Sequence, residues 1–101
     1  MNKLILVLYY SILSTFVSAD TKMDLGLEVY KNKAQCGTCH TLQAAGSIGN
    51  IGPNLDQIKA QINQIIYVVT NGIGAMPPWE GILTKEEIEA VYYYVFKSTN
   101  K

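Results

Sequence analysis

Five consecutive residues, Cys36 Gly37 Thr38 Cys39 His40, constrain the fold of this chain more than any other stretch. They include both cysteines and the single histidine of the 101 residues, so these three side chains have to act together. Two cysteines separated by two residues and followed directly by a histidine are typical of a covalent attachment site for c-type haem. In such a site both thiols bond to the haem and the imidazole turns towards its iron. The motif therefore predicts a chain that folds around a haem.

Three other interpretations of the same residues stay open at this point. A thioredoxin-like redox pair has the same cysteine spacing, but it expects a βαβ context and needs no histidine. A zinc site normally takes four protein ligands, and the sequence holds no second Cys/His pair. A structural disulfide or two inert thiols beside an unrelated histidine is the third. A disulfide across this spacing closes too small a loop to constrain the chain much.

The N-terminal residues have the pattern of a secretory leader. A short basic start, Met1–Lys3, precedes the mostly apolar run Leu4–Phe16 and the small residues Val17–Ala19. We predict that residues 1–19 are a signal peptide cleaved after Ala19 and that residues 20–101 form one domain. The apolar run is shorter than the roughly 20 residues of a comfortable transmembrane helix. An uncleaved leader that tethers the protein to a membrane is the alternative.

Composition limits both the stability and the partners of this domain. About 80 residues give a thin core, and domains of this size often need a disulfide, metal or cofactor as a staple. Without Lys3, which belongs to the predicted leader, the domain has seven lysines, no arginine and eight acidic residues, so its formal net charge is −1. This charge balance argues against a nucleic-acid partner. No lysine cluster indicates strong electrostatic steering towards an acidic partner.

Helical periodicity dominates the chain before and after the motif. The apparent capping box Thr21–Asp24 predicts a first helix over 23–33, with Gly26 marking a close crossing by another helix. Residues 41–53 are rich in glycine and predict a loop, in which Ile48 and Ile51 are candidates to cover a haem face or edge. A short helical turn is expected over 55–59. No strand pattern is strong anywhere.

The second half predicts two further helices joined by an ordered loop. Apolar residues from Ile62 to Val69 recur at helical spacing until Asn71–Gly72 ends the pattern. A second capping box, Thr84–Glu87, begins a last helix that runs to Phe96 or Ser98. The loop between them, 71–79, has two glycines and two prolines, and its rigidity favours a fixed position for Met76. Met1 belongs to the predicted leader and Met23 lies near the mature N-terminus, so Met76 is the credible sulfur ligand, with core packing as the alternative for a loop methionine taken alone.

With these features in view, residues 20–101 resemble a small class I cytochrome c along nearly their full length. The resemblance rests on the motif Cys36–His40, on Gly52–Leu55, on Met76–Pro77 and on an aromatic-rich last helix. It implies an all-α cytochrome c fold of three to four short helices wrapped around one covalently bound haem c with its iron. The short spacing between His40 and Met76 and the absence of a lysine-rich rim are most similar to compact bacterial members.

The family's residue roles transfer to matching positions in this sequence. Cys36 and Cys39 would form the thioether bonds, His40 would be the proximal axial ligand and Met76 the distal one. The backbone carbonyl of Pro53 would accept a hydrogen bond from the ligand histidine, which fixes the ring and tunes its basicity.

The resemblance also implies a helix crossing. Gly26 and Tyr30 on the first helix would cross the last helix near Val91 and Tyr94. Tyr67 and Trp79 are candidates to reach a haem propionate or the methionine, with core packing as the alternative.

A histidine and a methionine that fill both axial positions imply electron transfer rather than catalysis. The function implied is a periplasmic one-electron carrier between respiratory or dehydrogenase partners and an oxidase. The donor would be a dehydrogenase or quinol-oxidising complex and the acceptor a terminal oxidase. A dedicated cytochrome subunit of a stable periplasmic oxidoreductase is the alternative, and a haem-free thiol-disulfide or metal-binding domain is a remote one.

Overall fold

The computed structural model describes residues 19–101, and these contain four α-helices and one small hairpin. The helices are α1 (Ala19–Glu28), α2 (Leu55–Ile58), α3 (Ile62–Asn71) and α4 (Lys85–Thr99). A π-helical turn, Val29–Lys33, continues α1, and a 3₁₀ turn, Cys36–Thr38, holds the first part of the motif. The all-α prediction is confirmed. The predicted signal peptide lies outside the described residues except for Ala19.

The crossing of α1 and α4 forms the most extensive contact between helices. A Cβ added at Gly26 would lie 2.3 Å from the backbone oxygen of Ala90 and 2.4 Å from Cβ of Tyr94. Only glycine lets the two backbones approach this closely. Just beyond α1, in the π-helical turn, the ring of Tyr30 packs against that of Tyr94 with their centroids 6.0 Å apart. The predicted crossing at Gly26 is therefore confirmed.

The predicted start of the first helix is wrong. The helix includes Ala19 and Asp20, so the segment Thr21–Asp24 lies inside α1 and does not cap it. A capping pattern is local and also occurs within helices, where tertiary packing decides. The predicted end at Lys33 agrees with the π-helical turn.

The loop predicted over 41–53 contains a hairpin that the sequence did not indicate. Strand β1 (Thr41–Leu42) pairs antiparallel with β2 (Ser47–Ile48), and the 3₁₀ turn Gln43–Ala45 connects them. Each strand is two residues long, too short to show an alternating pattern. The hairpin begins directly after His40 and folds back against the motif.

The later elements follow the sequence closely. The side chain of Asn54 caps α2 by accepting a hydrogen bond from the backbone N–H of Gln57. α3 ends at Asn71, as predicted. At the start of α4 the predicted capping box is present, since the Thr84 hydroxyl accepts from the Glu87 N–H at 3.1 Å and the Glu87 carboxylate accepts from the Thr84 N–H at 2.9 Å. α4 continues to Thr99, one residue beyond the predicted end.

The core is small and lies between α1, α3 and α4. Its buried apolar side chains are Val29, Tyr30, Leu42, Ile65, Val69, Leu83, Val91, Tyr94 and Val95. Five of these also line an open cleft, so the core is incomplete on that side. Of the helices in residues 19–101, none is both long and apolar enough to cross a membrane.

Candidate functional site

The segment Cys36–His40 forms one tight turn whose backbone is closed by its own hydrogen bonds. The carbonyl of Cys36 accepts from the N–H of Cys39 at 3.2 Å and from that of His40 at 3.0 Å. Gln35 enters this turn with φ of +50°, a left-handed conformation that residues other than glycine rarely adopt. The turn presents both cysteines and the histidine to the same cleft.

Three small residues of the following loop lie directly beneath the turn. A Cβ at Gly49 would lie 2.6 Å from the carbonyl oxygen of Gly37 and 2.7 Å from the backbone of Cys39. The N–H of Gly52 donates to the carbonyl of Cys39 at 2.7 Å. Ser47 packs against Gly37, where a Cβ would meet that of Ser47 at 2.7 Å. The motif is thus supported from below by backbone contacts that larger residues would prevent.

His40 is held in one orientation by two neighbours. Its Nδ1 lies 2.7 Å from the carbonyl oxygen of Pro53, and a carbonyl only accepts, so Nδ1 carries the proton. The lone pair of Nε2 is therefore available to a metal. The ring lies against Gly52, where a Cβ would come within 2.6 Å of Cε1. The hydrogen bond to Pro53 that the family resemblance implies is present.

The loop after α3 holds Met76 by reciprocal backbone hydrogen bonds. The N–H of Ile73 donates to the carbonyl of Met76 at 3.0 Å, and the N–H of Met76 donates back to Ile73 at 2.9 Å. Gly72, with φ of +76°, begins the loop, and a Cβ there would lie 2.7 Å from the Met76 carbonyl oxygen. The N–H of Trp79 donates to the carbonyl of Val69 at 2.9 Å. These bonds fix the loop to the end of α3.

Two adjacent cavities are both lined by His40 and Met76. Their volumes are about 410 Å³ and about 270 Å³. They share Cys36, His40, Pro53, Ile73 and Met76. The larger cavity continues into the core between α3 and α4, and the smaller one opens beside Cys39. Together the two cavities form one apolar cleft.

The cysteines do not have the properties of a redox pair. Both are free thiols. Burial raises the pKa of Cys36 to about 11, whereas disulfide oxidoreductases lower the pKa of their reactive thiol. From Ala19 onward, no three His, Cys, Asp or Glu side chains come together as a group able to hold a metal ion. The haem-free alternatives therefore have no support in this part of the chain.

The residues present fit a covalently attached haem. An apolar cleft suits a macrocycle, the free Nε2 of His40 suits its iron, and Gly52 leaves room for the imidazole. The free thiols of Cys36 and Cys39 are available to bond at the edge of the cleft.

Four other residues singled out by the sequence have different surroundings. Trp79 is partly buried, packs on the core and lines the smaller cavity, whereas Tyr67 is exposed and lines neither. Ile51 lines the smaller cavity, and Ile48 lines neither and is almost fully exposed.

Sequence reasoning missed the supporting roles of Ser47, Gly49 and Gly52 and the position of Ile73 in both cavities. The spacing of Gly46, Gly49 and Gly52 every third residue was a signal for the first group. No local sequence pattern indicates that Ile73 lines both cavities.

Comparison with known proteins gives consistent matches. The family model described as "Cytochrome C oxidase, cbb3-type, subunit III" matches residues 21–95. Cytochrome c6 from Tetradesmus obliquus is 37% identical over 83 residues, covering 72% of this chain and 89% of that protein. Chloroplastic cytochrome c6 from Chlamydomonas reinhardtii is 35% identical over 96 residues, covering 85% of this chain and 62% of that protein. This chain therefore spans less than two thirds of the length of the Chlamydomonas reinhardtii relative.

A solved structure agrees with the fold. The crystal structure of the c-type cytochrome SorU from Sinorhizobium meliloti matches with a TM-score of 0.74 and 44% sequence identity. The match covers 81% of this chain and 95% of that one. The two proteins are therefore similar in sequence as well as in fold.

Proposed function

The chain belongs to the cytochrome c family, as a small class I member with one covalently attached haem c, and from this premise we propose that it is an exported one-electron carrier whose iron is ligated by His40 and Met76. The observation that carries the ligand assignment is that His40 and Met76 line both adjoining cavities.

Cys36 and Cys39 would hold the haem through two thioether bonds, one to each vinyl group. Addition of a thiol across a vinyl group moves the thiol proton to the neighbouring carbon and needs no oxidant or reductant. Both thiols are free, and the turn that carries them is held from beneath by the 41–52 loop.

His40 and Met76 would be the two side chains that hold the iron. His40 is the only histidine, and its Nδ1–H is engaged by Pro53, which leaves Nε2 for the iron. Met23 packs against the core and lines neither cavity, so Met76 is the methionine that suits the other face.

When bound, the haem supplies a one-electron ferric/ferrous couple. Two protein ligands leave no open position for a substrate, which is the physical reason for assigning electron transfer and not catalysis. Methionine ligation raises the reduction potential. The apolar cleft acts in the same direction, because it disfavours the extra positive charge of ferric iron. The hydrogen bond from His40 to Pro53 increases the basicity of the imidazole and opposes this increase.

We assign the protein to the periplasm, on the basis of the leader pattern in residues 1–19. Its donor is a dehydrogenase or quinol-oxidising complex and its acceptor a terminal oxidase. Purification from the native cell tests this assignment. A monomer that begins at Asp20 is the expected result, and a chain that retains its leader in the membrane fraction contradicts it.

A second candidate is a dedicated subunit of a stable oxidoreductase complex. The matching family model carries the name of an oxidase subunit, and this favours the alternative. The same purification separates the two, because a stoichiometric enzyme that stays bound to the cytochrome would exclude a free carrier.

Replacing Met76 with alanine tests the ligand set. We expect haem to stay covalently attached, added imidazole to bind the iron, and the potential to fall by on the order of 100 mV or more, since axial ligands set haem potentials over roughly 0.8 V. Met23→Ala is the matched control and should change neither the potential nor the imidazole binding. A ferric Met76→Ala protein that keeps the methionine charge-transfer band would refute the assignment. Replacing both cysteines should abolish stable holoprotein, because the remaining core is thin.

A further inference from the structure

The pair Asn71–Gly72 lies outside the cleft and joins α3 to the loop that carries Met76. Asn71 is the only asparagine in the sequence that is followed by glycine. An asparagine side chain can react with the backbone nitrogen of the next residue, and glycine has no side chain to hinder the approach. Asn71 is exposed, so water has access to it. The end of α3 therefore carries the pair of residues in this chain that is most reactive towards spontaneous deamidation.

This reaction is a ring closure followed by hydrolysis. The backbone nitrogen of Gly72 attacks Cγ of Asn71, a C–N bond forms, and the bond between Cγ and Nδ2 breaks. The amide proton of Gly72 leaves with Nδ2 as ammonia, and a cyclic succinimide remains. Water then opens the ring at Cγ to give aspartate, or at the backbone carbonyl carbon to give isoaspartate. Water is the only co-reactant, and no atom is oxidised or reduced.

The folded structure opposes this reaction at both reacting groups. The N–H of Gly72 donates to the carbonyl of Val68 at 2.9 Å. The side-chain amide of Asn71 donates to the carbonyl of Tyr67 at 3.1 Å. Asn71 is also the last residue of α3, and its helical ψ has to rotate before the nitrogen and Cγ can meet. Ring closure therefore requires the last turn of α3 to open.

The loop that carries Met76 holds that last turn in place. The N–H of Glu80 donates to the carbonyl of Thr70 at 3.3 Å, next to the bond from Trp79 to Val69. These bonds join the far end of the loop to the last turn of α3. The loop and the last turn are thus one hydrogen-bonded unit, and we expect them to open together.

We propose that Asn71–Gly72 is a deamidation site that the Met76 loop protects, so that it reacts only in molecules whose loop has left α3. The inference rests on the proposed function in one respect, since ligation of the iron by Met76 helps to hold the loop. Either product removes the amide that donates to Tyr67 and adds a negative charge at the C-terminus of α3, where the helix dipole disfavours it. Isoaspartate also inserts a methylene group into the backbone that leads to Met76. The modification therefore weakens the attachment of the loop permanently.

Incubation of the haem-loaded ferric protein in mildly alkaline buffer tests the protection. Peptide mass spectrometry measures the conversion of the Asn71 amide to a carboxylate. We expect folded wild type to react at least about tenfold more slowly than the same protein unfolded in denaturant, because the opened turn is a minor population. Met76→Ala should react about fivefold or more faster than folded wild type, and the control Met23→Ala should stay within about twofold of it. Cyanide, which replaces a methionine on ferric iron, should accelerate the reaction of wild type without any substitution.

Asn71→Asp reproduces one product and tests its effect on the loop. It should tighten the binding of added imidazole to the ferric iron by about threefold or more, because a weakened loop competes less well for the iron. Asn63→Asp is the matched control, since it makes the same change in the first turn of α3, where the helix dipole favours a negative charge. Its imidazole affinity should stay within about twofold of wild type.

Three results would overturn the proposal. The first is equal deamidation of Asn71 in the folded and the unfolded protein. The second is a wild-type rate in both the Met76→Ala variant and the cyanide-bound protein. The third is imidazole binding that Asn63→Asp tightens as much as Asn71→Asp does. Failure of the proposed function looks different, since the untreated ferric wild type would then lack the methionine charge-transfer band.

Discussion

Gly52→Ala directly perturbs the orientation of His40, and the structure allows its effect to be worked out. The new Cβ would lie 2.6 Å from Cε1, 2.9 Å from Nδ1 and 3.1 Å from Nε2 of the imidazole, where ordinary contact begins at 3.4 Å. The ring or the backbone must therefore move by about 0.8 Å. A displacement of this size away from the loop lengthens the 2.7 Å hydrogen bond to Pro53 beyond hydrogen-bonding range.

Loss of that bond should raise the reduction potential. A hydrogen bond of this kind is worth about 1 kcal/mol, which corresponds to about 40 mV for a one-electron couple. The sign follows from ligand basicity: without the Pro53 carbonyl the imidazole donates less charge, and ferric iron is stabilised less. We expect an increase of up to about 40 mV, measured by spectroelectrochemical titration of the haem-loaded variant.

Gly46→Ala is the control. Gly46 has φ of +68° and no neighbour within 4 Å of an added Cβ, so alanine strains the backbone without touching His40. It should lower the stability by about 1 kcal/mol and leave the potential unchanged. The reasoning is refuted if Gly52→Ala has the wild-type potential within about 10 mV, or if Gly46→Ala shifts it equally.

Three further predictions concern stability, measured by denaturant unfolding of the haem-loaded protein. Tyr30→Phe removes the 2.9 Å hydrogen bond between the buried phenol and Ser47, and should cost about 1 kcal/mol, with Ser47→Ala adding little in the double variant. Gln35→Gly should stabilise by a few tenths to about 1 kcal/mol, because it relieves the left-handed conformation; an unchanged midpoint would show that the turn is not strained there. Hydrogen bonding to Lys33 lowers the pKa of Glu87 below its ordinary value of 4.5 in the folded state, so its contribution is present above that value and is lost as the pH falls through the folded-state pKa. Glu87→Gln should therefore flatten the loss of stability below about pH 5, and an unaltered acid profile would contradict this.

Local chemistry explains which helices could be predicted from the sequence. Two predictions rested on short-range signals: the capping box at Thr84 and Glu87, and the helix end at Asn71–Gly72. The structure confirms both. The predicted start of α1 was wrong because the capping pattern at Thr21–Asp24 lies inside the helix. Lys22 in the additional turn pairs with Glu89 of α4 at 2.8 Å, and a contact between such distant positions is not visible in a window of four residues.

The site shows the same division. The cysteines, the histidine and Met76 could be found because their side-chain chemistry is rare in this sequence. The hairpin beneath the motif could not be predicted, because β1 and β2 have only two residues each and depend on contacts with the Cys36–His40 turn. Ser47 illustrates the difficulty: its partners are Tyr30 and the turn at Gly37, and neither is adjacent in sequence.

The two candidate ligands both lie on loops, and the way in which these loops are held bears on electron transfer. His40 is fixed through Pro53 and Gly52, and Met76 through its reciprocal pair with Ile73. Backbone hydrogen bonds join the 41–52 loop to the Cys36–His40 turn and the Met76 loop to the end of α3. Ligands held this way have little freedom to move when the charge of the iron changes. A small rearrangement between oxidation states favours fast electron exchange during a brief contact with a partner.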